Sequence, residues 1–212
     1  MRKRTKRPPK LFSPTNIGKI VVALLAMAGL YNSPYGPGSS ANTPSQKPTE
    51  KGSIYTGTVI KVHDGDTINV RDPHGATHKV RLHAVDAPEL KQSYGTTAQH
   101  WLSEQIQDQP IKIRVITKDR YQREVAQVFR PSTDCEAHTL CDTDEDVNLQ
   151  LLEHGHVWWY RDYAKEQRPQ DKTRYSQAEA NARQQHIGLW DNAHPTPPWE
   201  WRRAQRQDKN KE

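Results

Sequence analysis

A chain of 212 residues, 33% hydrophobic and 26% charged, has room for one domain of ordinary size plus tails. No internal repeat is visible, which excludes a repeat architecture. The formal charge of +6 is misleading as a sign of polyanion binding, because residues 1–28 hold seven basic residues and no acid, while residues 53–191 hold 17 basic against 21 acidic residues.

The basic, proline-bearing stretch 1–19 leads into an apolar run over 20–31. As a helix that run is about 18 Å long, short of the roughly 30 Å hydrocarbon core. A basic segment before such a run predicts an export signal, with Ala26-Met27-Ala28 as a cleavage site, or else an uncleaved N-terminal anchor. Residues 32–52 are rich in Pro, Ser, Gly and Thr and read as a linker too poor in apolar surface to fold. The domain is expected over 53–191, followed by a Pro/Trp/Arg tail over 192–212 whose Trp199 and Trp201 are expected to dock on the domain surface, the alternative being stacking on nucleic acid beside the neighbouring arginines.

Within the domain, 54–62 reads as a strand with Gly57 as a candidate bulge. Alternation over 67–71 places Ile68 and Val70 on one face, and Val80, Leu82 and Ala84 alternate in the same way. Asp72-Pro73-His74-Gly75 between them is turn chemistry. A helix follows over 93–107, stopped by Pro110. Strands are expected around Ile111–Val115 and over 125–129. Asp146 is placed to cap a short helix over 147–154, with Gly155 ending it. A third helix covers 174–185, with Tyr175, Ala178 and Ala182 on one face. Five strands interspersed with three helices make an α+β protein and suit a small closed OB-type β-barrel; periodicity alone fits other α+β arrangements equally.

The chemistry concentrates in 62–89, where Asp64/Asp66 and Asp86/Glu89 bracket Arg81. If the two strands between them pair, Asp66 comes close to Asp86. Carboxylates gathered at one end of a sheet are costly unless a cation sits between them, and hard oxygen ligands without paired His or Cys suit Ca²⁺ or Mg²⁺. Glu89 is placed to take the proton of an attacking water. Arg81 and Arg123 can hold phosphate oxygens bidentately.

In this order, Asp64-Gly65-Asp66-Thr67, Arg81-Leu82, Val85-Asp86-Ala87-Pro88-Glu89, Asp119-Arg120-Tyr121-Gln122-Arg123, Asn148-Leu149, Leu151 to Gly155 and Gly188-Leu189-Trp190 resemble the staphylococcal nuclease family. The resemblance covers about two thirds of the chain and implies the nuclease-like OB fold with Ca²⁺ as cofactor, Mg²⁺ being an alternative. It implies Asp66, Asp86 and the Ala87 carbonyl as metal ligands, Asp64 supporting them from behind, and Arg81, Glu89 and Arg123 as catalytic residues. Tyr121 and Tyr163 match nucleotide-contact positions. The expected activity is endonucleolytic hydrolysis of DNA and RNA with little sequence preference, leaving 3′-phosphate ends; the alternative is a non-catalytic OB-fold module that binds nucleic acid or protein. With the domain itself acidic, substrate binding would rest on local arginines and the metal.

Two departures from the family pattern matter. Gln122 stands where glycine is usual, so a turn requiring φ > 0 would be strained there and Arg123 displaced. The acidic stretch 134–146 is longer than its family counterpart, and is expected to be solvated and stapled by a Cys135–Cys141 disulfide. The protein is expected to be exported, periplasmic or secreted, monomeric, and open to membrane association through residues 20–31.

Overall fold

The computed structural model describes residues 50–133, 136 and 139–209. The expectations for residues 1–49, and for Cys135 as the partner of Cys141, lie outside the described residues. No helix among the described residues is long and apolar enough to cross a membrane.

Three strands, β1 (Ile54–Val62), β2 (Thr67–Arg71) and β3 (Thr77–Leu82), form an antiparallel meander. Next come β4 (Val85–Asp86), α1 (Gly95–Ile106), β5 (Pro110–Lys118) and β6 (Glu124–Arg130). The sheet runs β3-β2-β1-β5-β6, and β6 closes it by pairing parallel to β3. The outcome is the expected five-stranded barrel. Val59, Ile68, Val70, Val80, Leu82, Ile111, Ile113, Val115, Ala126 and Val128 fill it, all essentially without solvent contact. Apart from Leu82 they are β-branched or small side chains, all at a period of two, which is what a filled small barrel needs.

β7 (Glu145–Asp146) extends the sheet beside β6 and leads into α2 (Val147–Glu153). Asp146 caps α2 by accepting from the Leu149 N–H at 3.1 Å, as expected. Asn148 joins α2 to the barrel. Its Oδ1 accepts from Val128 N at 3.0 Å, and its Nδ2 donates to the His83 and Ala126 carbonyls. Asn148 thereby serves buried backbone groups of both β6 and the turn after β3. β8 (Trp158–Trp159) pairs with β4, and α3 (Pro169–Gln184) packs across α2 through Tyr175 and Ala178. The last element is α4 (Pro198–Lys209).

Several expectations need correction. The bulge in β1 lies between Val59 and Lys61, away from Gly57. A Cβ at Gly57 would instead meet Val70 Cγ1 at 2.5 Å and Arg71 O at 2.7 Å, so that glycine permits close strand approach. Ala84 does not continue β3: its φ of 61° ends the strand and redirects the chain into β4. α3 starts at Pro169, with proline in its first turn, rather than near 174. The 192–212 tail contains a fourth helix. The acidic stretch is not wholly solvated either, since Asp144 turns inward to pair with Lys112 Nζ at 3.1 Å, both side chains being almost fully buried.

Candidate active site

The tight turn from β1 to β2 carries Asp64-Gly65-Asp66. A Cβ at Gly65 would lie 2.7 Å from Ala87 Cβ and 2.9 Å from Ala98 Cβ, so only glycine lets this turn seat between α1 and the end of β4. Asp64 Oδ1 accepts from Asp66 N at 3.0 Å and fixes the turn. Asp66 Oδ2 then accepts from Ala87 N at 2.7 Å, which ties the two acidic motifs together.

Asp66 and Asp86 converge on one nitrogen. Arg81 Nη2 lies 3.1 Å from Asp66 Oδ2 and 2.9 Å from Asp86 Oδ1. Its Nη1 donates to the carbonyls of Leu82 and Val85, which brace the guanidinium along β3. Burial pushes the Asp66 carboxyl up to about 7 despite Arg81, and pushes Asp86 up as well. Arg81 is pulled down by burial, but Asp66, Asp86 and Asp64 outweigh that and hold it above the ordinary arginine value. Burial thus makes these carboxylates costly to keep charged.

That cost, together with an all-oxygen donor set, suits a hard divalent cation, which Asp66 and Asp86 with the Ala87 carbonyl would hold. Among the described residues no group of three or more His, Cys, Asp or Glu side chains is placed to hold a metal ion. The rest of the coordination would therefore fall to water or substrate oxygen, as hard cations allow.

Glu89 follows on the next loop, with its backbone N–H donating to Gln92 Oε1. Glu89, Asp66 and Asp86 face a cleft of about 670 Å³ whose wall includes Arg81, Arg123, Tyr121 and Tyr163. Arg123 reaches it from the turn between β5 and β6. Gln122 in that turn has φ 62°, so the residue that replaces glycine does adopt the left-handed conformation. Asp119 keeps the turn in place: it accepts from the backbone N–H groups of Tyr121 and Arg123 and from Arg123 Nε at 2.7 Å. Arg123 therefore still lines the cleft. Tyr121 stands at the lip, 64% exposed, with Arg120 and Arg123 over its ring.

Two arginines in the cleft wall come from α4 and were not anticipated: Arg202 and Arg206. Arg202 binds Asp86 Oδ2 at 2.7 Å and Glu89 Oε1 at 2.8 Å. Their i, i+4 spacing could have been noticed, but nothing local announced that 198–209 would be a helix or where it would dock.

The family profile described as staphylococcal nuclease homologue matches residues 79–192, more than half the chain. The chain belongs to the staphylococcal nuclease family. It is 33% identical over 156 residues to a micrococcal nuclease of Shigella flexneri, covering 74% of this chain and 85% of the relative. It is 31% identical over 148 residues to an uncharacterized endonuclease of Haemophilus influenzae, covering 70% and 73%. A staphylococcal-like nuclease of Arabidopsis thaliana aligns over 128 residues at 31% identity, covering 60% of this chain and 34% of the plant protein. The match to the staphylococcal nuclease profile stops at 192, before α4.

Proposed function

We propose that this chain is a divalent-metal-dependent nuclease that hydrolyses phosphodiester bonds in DNA and RNA without marked sequence preference. The observation that carries the reading is the convergence of Asp66 and Asp86 on Arg81, beside Glu89, in a cleft also lined by Arg123. The names of the relatives, micrococcal nuclease and endonuclease, support the same reaction class.

A cation bound at Asp66 and Asp86, with Ca²⁺ first in line and Mg²⁺ second, would offset phosphate charge and acidify a nearby water. Glu89 accepts that water's proton as it attacks phosphorus. Arg81 and Arg123 donate to the phosphate oxygens on which charge builds. The 5′-oxygen then leaves with a proton from solvent, and the 3′ end keeps the phosphate. Tyr121 and Tyr163 offer rings to the bases flanking the cut. A non-catalytic binding module would have no need for these carboxylates and arginines in one cleft. The same reading has residues 1–31 directing the chain to the cell envelope or beyond, where a Cys135–Cys141 disulfide is sustainable, and has the protein acting as a monomer.

The test is nicking of supercoiled plasmid by the purified chain with Ca²⁺, with Mg²⁺ and with chelator. Cleavage that needs a divalent cation and stops with chelator is expected. Folded protein that cuts under none of these conditions would overturn the assignment in favour of the binding module.

A further inference from the structure

We infer that Arg202, carried by the C-terminal helix, is a positioning residue of the catalytic centre that holds Asp86 and Glu89 in place and competes with the divalent cation for Asp86. The inference rests on the metal-binding reading of Asp66 and Asp86 given above. It concerns a segment that lies beyond the residues matched by the family profile.

α4 is seated at a fixed place. Trp199 meets Trp158 edge-on at 6.4 Å between ring centroids and lies 5.9 Å from Tyr160. Just before the helix, the Thr196 carbonyl accepts from Gln92 Nε2. Gln92 also accepts from the Glu89 backbone N–H. The start of α4 is thereby tied to the loop that bears Glu89, and Arg202, one turn into the helix, is aimed at the carboxylates.

Its fork then takes up both oxygens of Asp86. Nη2 lies 2.7 Å from Oδ2 and Nη1 lies 3.2 Å from Oδ1, while Nη1 also reaches Glu89 Oε1 at 2.8 Å. This is the bidentate geometry that makes arginine–carboxylate pairs strong. A second guanidinium so near Arg81 is tolerable only because Asp66, Asp86 and Glu89 surround the pair. Arg81 differs in that it uses only Oδ1 of Asp86 and is braced by two backbone carbonyls.

A cation that takes up an Asp86 oxygen therefore meets a resident charge. Arg202 must release that oxygen, and binding is weakened by the fraction of time it stays in place; if Arg202 holds Asp86 nine-tenths of the time, the apparent dissociation constant rises about tenfold. Released, the guanidinium remains in a cleft open to phosphate. Removing Arg202 should tighten metal binding, whereas removing an ordinary structural support of a ligand should weaken it.

The experiment is calorimetric titration of Ca²⁺, and separately of Mg²⁺, into the metal-stripped full chain, as wild type, Arg202→Ala, Arg202→Gln and Arg203→Ala. Arg202→Gln keeps the stem that packs beside the cleft and serves where the alanine variant loosens the helix. Arg203 is exposed on the same helix, so Arg203→Ala should match wild type. The expected result is a dissociation constant about tenfold lower in both Arg202 variants. An unchanged or higher constant in both, with wild type binding Ca²⁺, overturns the inference and leaves the metal-binding reading intact. No binding of Ca²⁺ or Mg²⁺ by wild type or by either Arg202 variant overturns both.

Discussion

Glu89 and Gln122 illustrate how much rests on single side chains in this cleft. Glu89 has a side chain 41% exposed, and among the described residues its carboxylate is held by Arg202 alone, so exchanging it for an amide should leave the fold intact while removing the proton acceptor. Glu89→Gln is expected to lower the rate of plasmid cleavage by about two to four orders of magnitude with an unchanged denaturation midpoint; full activity would remove Glu89 from the mechanism. Gln122 is expected to cost stability rather than chemistry. At φ 62° its Cβ crowds the backbone, and Asp119 holds the turn in spite of it. Gln122→Gly should stabilise the domain by about 0.5–1 kcal/mol, measured by urea denaturation. A loss of stability would mean that the Gln122 side chain contributes more than its backbone conformation costs.

At the scale of elements, the legible parts were those governed by local pattern. β2, β3 and β5 declare themselves through alternation, β1 through its β-rich composition, α2 through the Asp146 cap, and the site through the order of its acidic motifs, because each depends on neighbours in sequence. Two features were illegible for the same physical reason. α4 has no apolar stripe beyond Trp199 and Trp201; its position depends on Trp158, Tyr160, Asp86 and Glu89, all distant in sequence. In β5, alternation places Lys112 on an outward face between Ile111 and Ile113, yet Thr139 and Asp144 lie over it. Lys112 Nζ donates to Thr139 O at 2.9 Å and to Asp144, which also accepts from Ser132 N and Cys141 N. The insertion is therefore anchored through a buried ion pair. Lys112→Met should cost about 3–5 kcal/mol by leaving the Asp144 charge buried without its partner. Adding Asp144→Asn should restore part of the loss, a coupling that a double-mutant cycle on urea stability would read. Additive losses would mean that the insertion is held by its backbone bonds alone.

Across the whole molecule, buried groups of opposite type balance each other against pH. Burial holds the His83 and His156 rings down at about 4, well below the ordinary histidine value of 6.5. Both therefore stay neutral in the native state. Between pH 6.5 and about 4 the unfolded chain takes up protons that the native chain refuses, so acidification removes stability across that window. Burial acts oppositely on Asp146, raising it from 3.8 to about 6. Its native form keeps a proton that the unfolded chain releases, so acidification restores stability over nearly the same range. Asp66, raised from 3.8 to about 7, acts in the same direction as Asp146, so two raised carboxyls stand against two depressed histidines and the wild-type profile should be shallow between pH 4.5 and pH 6.5. Removing one histidine exposes the balance. His156 packs against Trp101 and meets the Tyr94 hydroxyl at 3.2 Å, a contact that glutamine can also make. Relative to wild type, His156→Gln should gain on the order of 2–3 kcal/mol as the pH falls from 6.5 to 4. The comparison is urea denaturation of both proteins across that range, with chelator present so that cation binding does not enter. Parallel profiles would show that His156 takes up its proton as readily in the folded protein as in the unfolded chain, and that burial there is relieved by water reaching the ring.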